Sequence, residues 1–176
     1  ICFLNFISAL KFLPESRKAG APALKRGFRF TKIFEALGTP VIGGLVLLVF
    51  LSAFAMSHIE ASLFLLVQEK YGWSQARASF GFAYIGVIMV FTQGYLIRKL
   101  MPVQGEKRLL FAGLALSFVA YGLIAINGPL GVLALAVTLL GMGTGLVNPS
   151  LNGSISLMSG EHEQGGHLGV SQSLSS

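Results

Sequence analysis

The sequence predicts an all-α membrane protein, and three observations carry that reading. Hydrophobic residues make up 53% of the 176 residues and charged residues only 11%. Soluble domains carry about 25% charged residues. Four separate stretches approach the ~20 mostly apolar residues that a membrane-crossing helix needs. Basic residues crowd alternate connections between these stretches, the pattern of a helical bundle threading a bilayer. Consecutive runs of this length with short connections do not suit the buried helices of a soluble protein. Nor do they alternate with period two, as the strands of a membrane barrel would.

The elements follow in order. Residues 1–13, opening ICFLNFISAL, read as the end of a preceding span. They lack a starting methionine and are apolar from the first residue, so the chain reads as part of a longer protein. Its missing N-terminal half is then an expected partner. Residues 14–38 form a basic connection. Within the stretch GFRFTKIFEALGTP (27–40), bases alternate with aromatics. A short interfacial helix would send Phe28, Phe30, Ile33 and Phe34 into lipid; a plain basic linker fits as well. The bundle proper covers residues 39–176. Its spans are expected at 39–67, 80–97, 109–126 and 130–158, and 164–176 begins another.

Charge placement orients the bundle. Eleven of the thirteen bases fall before the first full span or between the second and third; only Lys70 and Arg77 lie on the other side. Positively charged loops stay cytoplasmic, so both basic connections are expected inside, in a plasma (inner) membrane. Bases gathered at membrane boundaries argue against a nucleic-acid partner. Cys2 is the only cysteine, which excludes an intrachain disulfide.

The stretch AMSHIEASLFLL (55–66) raises the functional question, because it places an ionisable residue at membrane depth. Glu60 lies six residues past Phe54, near the centre of the first span. At ~1.5 Å per residue that is about 9 Å, inside the ~15 Å half-thickness of the hydrocarbon core. An ionised carboxylate there should face the bundle interior, a partner or water. Ser52, Ser57 and Glu60 share one helical side, whereas His58 lies about 200° around from Glu60. A carboxylate withdrawn from water can load and release a proton near neutral pH. Glu60 is therefore a candidate for the substrate or proton pathway, with Ser57 and Ser52 beside it. The alternative is a structural hydrogen bond to a neighbouring helix, and His58 reads more simply as a packed or interfacial side chain.

At the end of the second span, Gln93 and Gly94 precede Arg98 and Lys99. Gly94 would allow a close helix approach, and the two bases would satisfy terminal carbonyls. Gly105 should turn the chain, and Ser117, Tyr121, Gly113 and Gly122 suggest packing in the third span. In the fourth, Gly141 and Gly145 have the spacing for close helix contact. Asn148 and Asn152 continue their stripe. Pro149 should kink or loosen the helix, which membrane helices tolerate where they line a cavity or pack in protein. Gly165 and Gly169, with Gln172, begin another such stripe. His162 and His167 near Glu161 and Glu163 fit a solvated loop better than a metal site. No nucleotide-binding or hydrolase motif occurs, so neither an enzyme nor a cofactor is expected.

Several segments together resemble the major facilitator superfamily. FLPES (12–16) resembles the close of its sixth helix. QGYLIRKLMPVQGEKRLLFAGL (93–114) resembles the second copy of its cytoplasmic loop motif, and EHEQGGHLGVSQSLSS (161–176) the entry to helix eleven. The first span, followed by EKYGWS (69–74), resembles helix seven of the drug-antiporter branch. The resemblance covers the end of helix six through the start of helix eleven of a twelve-helix bundle. It implies a small-molecule substrate held between two halves, with protons driving efflux by alternating access. It also places Gln93, Gly94, Arg98 and Lys99 at a cytoplasmic gate, and gives Gly141, Gly145, Asn148, Pro149 and Asn152 to helix packing and flexibility. Uptake or uniport of a sugar, nucleoside or organic acid is the alternative, as is a membrane scaffold that transports nothing.

Overall fold

The computed structural model describes residues 38–160 and 164–175. The expected end of a preceding span at 1–13 and almost all of the basic connection at 14–38 lie outside that range, as do Glu161, His162 and Glu163. The described elements are α1 (Ile42–Tyr71), α2 (Gln75–Phe91), a π-helical turn (Thr92–Ile97), α3 (Arg98–Ala125), α4 (Leu130–Met158) and α5 (Gln164–Leu174). Three runs are long and apolar enough to cross a membrane: Ile42–Tyr71, Gln75–Ala125 and Leu130–Met158.

The middle run is two crossings. In α2, Ile85 and Ile88 pack at Gly141, and Thr92 packs at Gly145. Residue numbers rise together on both helices, so α2 and α4 run parallel. In α3, Gly113 meets Val147 while Ser117 meets Gly143; the numbers run oppositely, so α3 and α4 are antiparallel. The chain must therefore reverse between α2 and the body of α3. Gly105 supplies the reversal at φ 74, ψ 166, the one non-helical position inside α3. A residue with Cβ rarely adopts that backbone conformation, which fits glycine to the turn.

Local signals set the other boundaries. Gly72, left-handed at φ 61, ends α1 and returns its N–H to the carbonyls of Gln68 and Val67. Ser74 opens α2 by accepting the backbone N–H of Arg77 at 3.4 Å. Pro149 lies inside α4, yet the helix runs unbroken from Leu130 to Met158. Proline removes the bond to the Gly145 carbonyl, and α4 continues as one helix through that gap.

Helix α4 is the axis of the bundle. One buried cluster joins Leu63 and Val67 of α1 to Ala78, Ile85, Ala120, Ile124, Leu133, Ala136 and Leu140. A second, nearer the opposite end, joins Leu45 and Val49 of α1 to Leu110, Val147, Leu151 and Ile155. Ile42 and Val46 meet Val170 of α5 in a third. Helix α1 thus touches the bundle near both ends. Its middle, from Ser52 to Glu60, falls between the two main clusters.

At one end α1 is tied down by polar contacts. Lys70 Nζ donates to Asn127 Oδ1 at 2.8 Å, to the Gly128 carbonyl at 2.7 Å and to the Asn127 carbonyl. The Tyr71 hydroxyl donates to the Gly128 carbonyl at 2.8 Å. These acceptors belong to the tight α3–α4 turn, where Asn127 has φ 56. Asparagine is among the few non-glycine residues that tolerate that region. A lysine that looks like a topology marker is therefore also a clasp. Lys70→Met is expected to speed amide exchange at residues 126–128 and at the last turn of α1, and hydrogen-exchange mass spectrometry would read it. Unchanged exchange would mean that the clasp holds nothing.

Candidate site: a polar cleft at mid-span

Where α1 parts from the bundle, a cleft of about 660 Å³ opens. Helix α1 supplies Ser52, Ser57 and Glu60; α3 supplies Ser117 and Tyr121; α4 supplies Thr144, Asn148 and Asn152; α5 supplies Ser171, Gln172 and Ser175. Leu48, Leu51, Met56, Met89, Leu114, Phe118 and Leu151 give it apolar walls. Glu60 is the single charged residue of the lining among the described residues. The cleft can therefore hold an amphipathic molecule, offering hydroxyls and amides for hydrogen bonds and one carboxylate for a cation or proton.

The sequence-derived residues separate into two sets. Ser52, Ser57, Glu60, Asn148 and Asn152, drawn from helices nearly a hundred positions apart, converge on one cleft. Gly141 and Gly145 do not line it. They form the seat of α2: a Cβ at Gly141 would lie 3.0 Å from Ile88 Cγ2, and one at Gly145 2.9 Å from Thr92 Cβ. The single stripe thus divides along α4, small residues at the α2 contact and amides at the cleft. His58 points away, as the helical geometry requires. It meets the Phe54 ring edge-on at 4.9 Å and borders a separate hollow with Ala55, Ile59, Ser62 and Tyr121.

Gln93, Gly94, Arg98 and Lys99 lie outside the cleft lining. Gln93 and Gly94 sit in the π-helical turn, Arg98 caps it, and all four are exposed. Among the described residues nothing approaches within 4 Å of a Cβ placed at Gly94. Lys99 Nζ lies 5.9 Å from the Tyr95 ring centre, and Tyr95 stacks on Phe91 at 5.5 Å. Single π turns often mark functional positions in membrane and soluble helices alike. Here the turn begins at a constrained residue: Thr92 is fully buried, its methyl side against Gly145 and its hydroxyl without a hydrogen-bond partner among the described residues. Leaving a buried hydroxyl unpaired costs about 1–3 kcal/mol. Thr92→Val keeps the shape and removes the orphan, so it should raise the thermal midpoint of the purified protein. A lowered midpoint would reveal a hydrogen bond at this hydroxyl.

The closest helix contact was the least visible in sequence. A Cβ on Gly143 would lie 2.9 Å from the Gly113 carbonyl oxygen and would collide with the Ser117 hydroxyl; one on Gly113 would lie 2.8 Å from Val147 Cγ2. Gly113 and Ser117 are one turn apart, a small-x3-small pair that signals close packing. Gly143, two residues from Gly141, faces the opposite side of α4 and escapes a search for one stripe. Thr144 and Met89 in the cleft carried no sequence signal beyond their position in spans.

A family model described as Major Facilitator Superfamily matches residues 1–176. The chain is 27% identical over 131 residues to the tetracycline resistance protein, class B, of Escherichia coli, a match covering 74% of this chain and 32% of that protein. It is 31% identical over 162 residues to the tetracycline resistance protein, class D, of Salmonella ordonez, covering 91% and 39% respectively. The chain thus spans well under half the length of these relatives. No solved structure matches it.

Proposed function

The chain belongs to the Major Facilitator Superfamily, and on that premise we propose that it is part of a multi-pass secondary transporter that expels small amphipathic compounds in exchange for protons. The observation that supports this reading is Glu60, among the described residues the lone charged side chain on a mid-span cleft lined otherwise by hydroxyls, amides and apolar groups. Ionisable residues at such depth cost several kcal/mol unless they face a cavity, and they mark ion or substrate paths. The cleft is one wall of a site between two halves, and the other wall belongs to the rest of the longer protein. Substrate would enter against Ser52, Ser57, Asn148 and Asn152. Protonation of Glu60 would neutralise the wall and release a cationic or dipolar substrate; deprotonation would restore it. Rocking of the two halves would expose the site to each side in turn.

The reading places the Arg98 end of the bundle in the cytoplasm and the Lys70 end outside, in the plasma (inner) membrane. Gln93, Gly94, Arg98 and Lys99 would then form part of the cytoplasmic gate, and residues 14–38 the cytoplasmic link to the preceding half. The likeness to two tetracycline resistance proteins supports tetracycline as a first compound to try as substrate.

The test is transport by the complete protein in proteoliposomes. An imposed pH gradient should drive uphill movement of an amphipathic dye or drug, and collapsing the gradient should stop it. Counterflow indifferent to pH would instead favour uniport. No movement of any substrate would favour a scaffold.

A further inference from the structure

A second cavity lies at the Lys70 end of the bundle and shares no lining residue with the central cleft. It is a groove of about 600 Å³ between α1, α2 and α4, with apolar walls that include Leu63, Val67, Ile85, Leu133 and Val137. Phe80 and Tyr84 stand 77% and 46% exposed along one flank. Among the described residues one charged side chain, Arg77, belongs to the lining, as does Trp73, whose ring reaches Gly81. Arg77 occupies the first turn of α2, near the membrane boundary. Ile85 is eight residues further, about 12 Å deeper at ~1.5 Å per residue. The groove therefore reaches most of the way through one ~15 Å leaflet.

Arg77 has an uncommitted guanidinium. Its backbone N–H caps on Ser74, but its side chain has no hydrogen bond or ion pair among the described residues. The neighbouring cation, Lys70, is engaged with the α3–α4 turn. A cation at headgroup level above an apolar groove of acyl-chain depth matches one class of molecule in both charge and shape.

We propose that this groove binds an anionic phospholipid, its phosphate on the Arg77 guanidinium and one acyl chain lying between α1, α2 and α4. The apolar part confers little preference by itself, because a lipid tail is equally apolar outside the groove. Selectivity comes from the headgroup. In a zwitterionic lipid the phosphate already has its own ammonium nearby. In phosphatidylglycerol it has none, and a guanidinium forms paired hydrogen bonds with phosphate oxygens. One basic residue at a membrane surface favours anionic lipid by about fivefold.

Trp73 supplies the readout, being the single tryptophan of this sequence and part of the groove. The complete protein is placed in nanodiscs containing phosphatidylglycerol or phosphatidylcholine brominated along the acyl chains, each over the same graded series of mole fractions. The Trp73 signal is the difference between the protein and its Trp73→Phe variant. Brominated phosphatidylglycerol should quench it at severalfold lower mole fraction than brominated phosphatidylcholine. Arg77→Gln should remove that difference, and Ala134→Phe, which fills the groove wall, should weaken quenching by both lipids. Equal quenching by the two lipids, or a preference that survives Arg77→Gln, would overturn the proposal. So would absence of quenching by either, which would show that other protein segments cover the groove. Substrate transport by the same variants, reconstituted separately in proteoliposomes, keeps this outcome distinct from the transport reading.

Discussion

Glu60→Gln is expected to reduce pH-gradient-driven efflux to the level of protein-free liposomes while leaving substrate counterflow that needs a higher substrate concentration. Glutamine preserves the size and hydrogen-bonding reach of the side chain but cannot ionise, so it removes proton exchange and holds the wall in its neutral, weaker-binding form. Glu60 is the only charged member of the cleft lining among the described residues, and none of the others there is a carboxylate that could take over its proton. Ser52 and Ser57 share its helix and can hydrogen-bond a ligand, but their hydroxyls do not titrate near neutral pH. The coupled and uncoupled activities should therefore separate. Glu60→Asp should lie between, since it restores the acid but draws it back by one methylene toward the α1 backbone. Measuring gradient-driven flux and equilibrium counterflow on the same preparation checks both halves of the expectation. If Glu60→Gln still accumulates substrate against a gradient, coupling resides in the preceding half of the protein and Glu60 serves binding alone. If both activities vanish, its role is structural.

The route from sequence to this site shows what one-dimensional information carries. Span length and charge placement made the bundle legible because lipid imposes a severe requirement: backbone groups must pair internally, so crossings are long, apolar and helical. Gly105 was readable as a turn because positive φ restricts which residue can stand there. Glu60 stood out because a carboxylate is costly in an apolar run, and 100° per residue correctly set it apart from His58. The convergence of Glu60 with Asn148 and Asn152 was not readable, since it depends on α1 parting from α4 between two apolar clusters. Lys70 looked like a lone surface charge because its acceptors lie in a turn more than fifty residues away. Contacts between distant segments leave traces only where residue type is unusual, and Gly143 shows that even then the trace can be hidden by a neighbour.

Gly143 is where the largest structural effect is expected. Its missing side chain lets the α3 and α4 backbones touch: a Cβ would stand 2.9 Å from both the Gly113 carbonyl oxygen and the Ser117 backbone nitrogen. Those neighbours are main-chain atoms, so no rotamer change can make room, and the two helices must separate. A bundle in lipid gains little from burying apolar area and depends on such close van der Waals contact. Overpacking by even small groups costs about 1–3 kcal/mol in well-packed interiors. Gly143→Ala should therefore lower the thermal midpoint of the detergent-purified protein clearly, and Gly143→Leu should abolish recovery of a monodisperse species. Separation of α3 from α4 would also displace Ser117 and Tyr121 from Thr144 and Asn148 across the cleft, so any Gly143→Ala protein that survives should bind substrate more weakly. Gly122→Leu is the matched control, because nothing among the described residues lies within 4 Å of a Cβ at that glycine. Should the Gly143 and Gly122 variants prove equally stable by size exclusion and thermal unfolding, α3 and α4 do not meet at Gly143, and the wall of the cleft is assembled differently.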